Sequence, residues 1–152
     1  MFPTFHFDQF SLDLTLPIRV CAAAGFGILV GLERRYHGHA AGPHTCALVA
    51  AGSAMFVTSG LLTGTSVFGQ LVTGIGFICG GVILHDGMTV KGLNTAATLW
   101  SLAAISALTG AGHLDLGAGA TLLVITLNIT LRWVEQHVPL LNRPQTPGDT
   151  AS

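Results

Sequence analysis

Four side chains able to bind a metal crowd one short stretch, "GLERRYHGHAAGPHTC" (Gly31–Cys46): His37, His39, His44 and Cys46. Imidazole nitrogen and thiolate sulfur are ligands for zinc and softer metals, but structural zinc sites repeat their ligands at regular short spacings. The spacing here follows no such pattern, so the histidines read as solvated loop residues and no metal is assigned. No Ser-His-Asp set, Cys-His pair or paired carboxylates fall at one level of the chain. No residue is therefore assigned as catalytic, no cofactor is implied, and the chain reads as non-enzymatic. The segment "GIGFICGG" (Gly74–Gly81) approaches a GxGxxG nucleotide fingerprint. Cys79 fills the last glycine position, and neither a βαβ pattern nor a later acidic residue accompanies it.

Other polar groups are more informative. Glu33 and Arg34 close a long apolar run. A carboxylate at a helix C-terminus opposes the helix dipole by roughly 0.3–1 kcal/mol, so Glu33 calls for a partner. Arg34, Arg35 or the loop ahead of "NTAATLW" could supply it. Asn94 or Thr95 can cap the helix that begins there. Thr95 and Thr98 also share a face at i,i+3 spacing, where they could hold an anion or a carboxylate such as Glu33. Arg19 lies near the far end of the first apolar run. It either extends to the membrane interface or turns inward to a polar partner. Gln70, Thr73 and Asn128 are polar positions inside other apolar runs, where an ion route would need them.

The elements that carry these residues are dictated by composition. Charged residues make up 9% of the 152-residue chain and mean hydropathy is +0.65. Ordinary globular domains carry about 25% charge. Six basic and seven acidic side chains cannot cover a soluble surface of this size, whereas lipid solvates an apolar one. The formal charge of −1 offers no basic patch, so nucleic acid is excluded as a partner. Cys21, Cys46 and Cys79 are far apart and odd in number, which excludes a disulfide framework; they read as small apolar residues.

From Thr45 to Leu84, 40 residues pass without Asp, Glu, Lys, Arg or His. One membrane crossing takes about 20 apolar residues, so this run predicts two helices, Thr45–Leu62 and Val67–Leu84, with a turn at Gly64–Ser66. Leu16–Leu32, Thr95–Gly112 and Gly117–Trp133 are three more. The expected fold is all-α: a polytopic membrane protein of about five transmembrane helices with glycine-rich packing. Gly27 and Gly31, and Gly76 and Gly80 beside Gly81, have the small-xxx-small spacing that lets helix backbones approach. The four glycines of "GIGFICGG" also weaken the third helix enough to suggest a broken or re-entrant one. Residues 1–15, holding four of the eight Phe, read as an interfacial segment. The transmembrane domain is 16–133, and 134–152 is expected to be a polar, disordered cytoplasmic tail. Five spans place Arg34, Arg35, Lys91, Arg132 and Arg143 on one side and Arg19 alone towards the other. The positive-inside rule then sets the N-terminus outside and the C-terminus in the cytoplasm.

Four segments, in order, resemble the MgtC/SapB family of bacterial inner-membrane proteins: "GLERR" (31–35), "AGPHTCALVAAGSAMF" (41–56), "GIGFICGGVI" (74–83) and "VKGLNTAATLW" (90–100). The likeness runs from about Ile18 to Arg132. It implies a multi-pass protein linked to adaptation to low magnesium and to virulence through survival inside macrophages. It further implies action on another membrane complex, the ATP synthase, rather than transport. By this resemblance Glu33, Arg34, Thr45, Gly76, Gly81, Thr95, Thr98 and Trp100 stand at recurring family positions. His44, Cys46, Cys79 and Asn94 depart from it, standing where Arg, His, Gly and Thr are usual. Many members carry a soluble domain after the last helix; this chain reads as a short form. The partners expected are the lipid bilayer, a membrane complex and a second copy of the chain. The alternative is a small magnesium channel or transporter subunit.

Overall fold

A computed structural model of the chain describes residues 15–86 and 89–137. The expected interfacial segment up to residue 14 and the tail beyond residue 137 lie outside these residues. Five helices run α1 (Thr15–Tyr36), α2 (Pro43–Thr63), α3 (Phe68–Val82), α4 (Leu93–Gly110) and α5 (Leu114–His137). Two short strands, β1 (Leu84–Asp86) and β2 (Thr89–Lys91), pair antiparallel between α3 and α4, with His85 opposite Val90. By length and composition α1, α2 and α5 can each cross a membrane, while α3 is a shorter apolar helix of 15 residues. The architecture is an all-α membrane protein.

Several boundaries differ from the sequence expectation for local reasons. The charged end "ERRY" continues α1 rather than opening the loop. α2 starts at Pro43 because proline, with fixed φ and no N–H, suits the first helical turn. α3 stops at Val82, two residues early, because Ile83 is extended and leads into the hairpin. Its glycines do not break it: the helix is continuous. α5 begins at Leu114 and continues through His137, so residues 134–137 are helical rather than tail.

α4 is the centre of the bundle. It packs against every other helix and buries Leu99, Leu102, Ala103 and Ile105 together with Thr95, Thr98, Ser106 and Thr109. Two of its buried hydroxyls are satisfied inside the helix: Ser106 Oγ donates to Leu102 O (2.8 Å) and Thr109 Oγ1 to Ile105 O (2.9 Å). α1 and α2 form the closest pair. A Cβ on Gly27 would stand 2.6 Å from Cys46 O and 2.8 Å from Ala50 Cβ, and one on Gly31 would collide with the Pro43 backbone. Glycine is required at both positions because the opposing atoms are largely backbone and cannot yield.

Gly76, Gly80 and Gly81 behave otherwise. Nothing lies within 4 Å of a Cβ built on any of them, so the packing expected of them is not made within this chain. α3 buries only Ile75 and Cys79, is held to α4 by the Cys79 Sγ–Ala96 O contact (3.2 Å), and scarcely touches α2. α5 buries only Gly117 and Thr121.

Candidate functional site: an arginine clamp at one end of the bundle

The C-terminal ends of α1 and α5 meet the N-terminal ends of α2 and α4. The polar side chains of the "GLERR" and "NTAATLW" segments converge there. Arg34, on the buried face of α1, is 1% exposed. Its Nη1 donates to Thr98 Oγ1 and its Nη2 to Thr95 Oγ1, both at 2.7 Å, and its Nε donates to Ala41 O at 3.3 Å. One planar guanidinium thus joins α1, the α1–α2 loop and α4. The i,i+3 spacing of the threonines matches its fork, since both hydroxyls point from one helix face. Thr98 Oγ1 in turn donates to Asn94 O at 2.9 Å.

This corrects two expectations. Thr95 and Asn94 do not cap α4: the N-cap is Gly92, at φ +92°, and no side chain caps the helix. A Cβ there would meet Val82 O, so the close pass of the hairpin exit over the end of α3 selects glycine. Thr95 and Thr98 hold the guanidinium of Arg34 rather than an anion or Glu33. Glu33, the residue before Arg34 on α1, turns to α5. Its Oε1 pairs with His37 Nδ1 at 2.9 Å, and its Oε2 accepts from Asn128 Nδ2 at 3.4 Å. Arg132 Nη1, one turn further along α5, donates to His37 O at 3.2 Å. The partner that the helix dipole demands for Glu33 is therefore local His37 plus α5, and not an arginine or the loop before α4.

Among the described residues no carboxylate is salt-bridged to Arg34; Glu33 contacts His37 instead. A cavity of about 490 Å³ opens beside the clamp, lined among others by Glu33, Arg34, His39, Asn128, Arg132 and Glu135. His39 Nδ1 is buried there without a hydrogen-bond partner. Sequence named His39 only as a loop histidine and Arg132 only as a topology charge, and Glu135 not at all. Arg132 fell inside the expected last helix with no partner assigned, and Glu135 becomes visible only once that helix is seen to run past Trp133.

The other candidates fall elsewhere. Thr45 and His44 are exposed at the start of α2. Trp100 is half exposed on α4, in the groove beside α3. Gln70 is exposed on α3, lining an apolar groove between α2 and α3. Arg19 is at the opposite end of the bundle, its guanidinium lying against Gly112 in the α4–α5 turn. Among the described residues no three His, Cys, Asp or Glu side chains gather as metal ligands, and Cys21, Cys46 and Cys79 are free. Because Thr98 both receives Arg34 and ties to Asn94, Thr98→Val leaves a charged N–H unpaired in a buried place. That change is expected to cost about 1–3 kcal/mol, read as a lowered midpoint of thermal unfolding in detergent, with Ser106→Ala affecting it less.

The sequence model of the MgtC family matches residues 20–137. The chain is 42% identical over 125 residues to Protein MgtC of Salmonella typhimurium, covering 80% of this chain and 54% of that protein. It is 46% identical over 119 residues to Protein MgtC of Brucella abortus, covering 74% and 50% respectively. An uncharacterised protein of Synechocystis sp. is 44% identical over 120 residues, covering 76% and 51%. The chain spans about half the length of these relatives, and no solved structure matches it. The matched residues contain the whole Arg34 clamp and all five helices from Val20 onward, and on that ground the chain belongs to the MgtC family.

Proposed function

We propose that this protein is a non-enzymatic regulator in the bacterial inner membrane that works by helix contact with another membrane complex. By family resemblance that complex is the ATP synthase, and the setting is adaptation to low magnesium and intracellular survival. The observation that carries the reading is the division of polar and smooth surfaces. The buried arginine is closed off inside the bundle, bound to α4 and Ala41, while the glycine face of α3 faces outward with nothing of this chain against it. Glycines exposed on a membrane helix suit close approach of a foreign helix. The gathering of Arg34, Arg35, Lys91 and Arg132 at one end supports a cytoplasmic placement of that end, hence an outer N-terminus and a cytoplasmic C-terminus. Accessibility tags on the two termini in intact cells test it: both on one side would overturn the topology.

A cation channel or transporter subunit is the second reading, favoured by the Glu33 and Glu135 carboxylates lining the end cavity. Reconstituted liposomes separate the two. A regulator passes no magnesium above protein-free vesicles, and Gly76→Leu or Gly80→Leu abolishes its effect on ATP level in cells while leaving its own folding intact. Magnesium flux that disappears in Glu33→Gln would establish the channel instead.

A further inference from the structure

The end cavity has a charge pattern that the clamp does not explain. Arg34 is a buried cation whose hydrogen bonds all go to neutral oxygens, and it stands beside the N-terminus of α4, the positive end of that helix's dipole. Three of its five N–H groups are engaged, which leaves two. Arg132 adds a second cation, and His39 Nδ1 a buried nitrogen without a partner. These groups ask for an anion. Of the two carboxylates that line the same cavity, Glu33 has both oxygens committed, to His37 and Asn128, whereas Glu135, exposed one turn beyond Arg132 on α5, has no partner among the described residues. Beside a bound anion, that carboxylate offers a place for a cation. A single ligand with an anionic group and an ammonium a few bonds apart answers both.

The position of the cavity selects the source of that ligand. It lies at the end of the bundle where Tyr36 is 87% exposed and Trp133 is 59% exposed, the aromatic pattern of a membrane interface. Leu131 lines it, and Leu131 and Leu127 are exposed along α5, a helix that buries only two residues. An acyl chain can follow that ridge while its headgroup enters the cavity. About 490 Å³ is ample for such a headgroup. We infer that the cavity between α1 and α5 is a site for a phospholipid with a zwitterionic, primary-amine headgroup, its phosphate at Arg34, His39 and Arg132 and its ammonium at Glu135. Phosphatidylethanolamine has this chemistry. Phosphatidylcholine has the phosphate but no N–H to give Glu135, and phosphatidylglycerol has no cation at all.

Purified protein in mild detergent is titrated with these three lipids, matched in acyl chain, and with water-soluble phosphoethanolamine. Native mass spectrometry reads occupancy. The expected result is one bound phosphatidylethanolamine, preferred over both other lipids and over phosphoethanolamine. Glu135→Gln lowers its affinity about tenfold, the scale of one charge-assisted hydrogen bond, and abolishes the preference over phosphatidylcholine. Arg132→Gln weakens all three lipids, and Arg35→Gln, a change outside the cavity lining, alters nothing. Equal binding of phosphatidylethanolamine and phosphatidylcholine overturns the proposal, as does a preference that survives Glu135→Gln. Phosphoethanolamine binding as tightly as the lipid also overturns it, in favour of a free zwitterion.

Discussion

Arg34→Ala is expected to lose about 3–5 kcal/mol of stability, the largest effect of any single polar substitution in the described residues. Two contributions combine. Three charge-assisted hydrogen bonds linking α1, the α1–α2 loop and α4 disappear, and a side chain 1% exposed leaves a void that packed helices cannot fill. Desolvation of the guanidinium offsets part of the gain in the parent protein. For that reason Arg34→Met, which keeps volume and removes the buried charge, is expected to cost only about 1–2 kcal/mol. Arg34→Lys retains charge without the planar fork and cannot serve two hydroxyls and a carbonyl in the same geometry. It is expected to fall between the other two at about 2–4 kcal/mol. Thermal unfolding in a single detergent orders the three. An Arg34→Ala protein within about 0.5 kcal/mol of the parent, the size of an ordinary surface change, would show that the clamp does not hold the helices together.

The second large effect is steric. Gly31→Ala and Gly27→Ala each add one carbon atom where α2 already stands, against the Pro43 backbone and against Cys46 O and Ala50 Cβ. The helices must separate, which costs about 1–3 kcal/mol per overpacked site and more where only backbone can move. The same substitution on α3 has the opposite sign. Gly76→Ala and Gly80→Ala meet no atom within 4 Å and gain up to ~1 kcal/mol of helix propensity. Unfolding midpoints should move down for the first pair and stay level or rise for the second. If Gly76→Ala also destabilises the purified protein, a second copy or a tightly held lipid covers α3.

The helices were legible because lipid solubility leaves a coarse and redundant mark: long runs without charge, separated by glycine and polar turns. Gly27 and Gly31, repeating at helical spacing, marked a smooth face of α1, but that α2 is the helix against it was not legible. The same spacing at Gly76 and Gly80 is not matched by a contact within this chain. Spacing states that a face is smooth; whether this chain covers it depends on where α3 leans, and α3 leans on α4 through Ile75 and Cys79. The hairpin at 84–91 was missed because "LHDGMTVK" has strands of three residues, too short for alternation to register. At the clamp, the residues were recognised and the pairing was not. Glu33 and Arg34 are adjacent and therefore about 100° apart around α1, so one meets α5 while the other meets α4. A sequence shows the charges side by side and conceals that they serve different neighbours.

The length of α3 carries one more implication. Fifteen residues at about 1.5 Å each reach about 22 Å, against a hydrocarbon layer of about 30 Å. A short helix is accommodated by thinning of the adjoining leaflets or by association with another helix. The bilayer next to Gly76 and Gly80 is therefore the thin edge of the protein's surroundings, while α1 and α5, at 22 and 24 residues, sit in membrane of ordinary depth. Such lopsided deformation relaxes when a second short or tilted helix shares the same edge. The membrane itself then favours an encounter on the α3 side, and thicker bilayers, which deepen the mismatch, strengthen that bias.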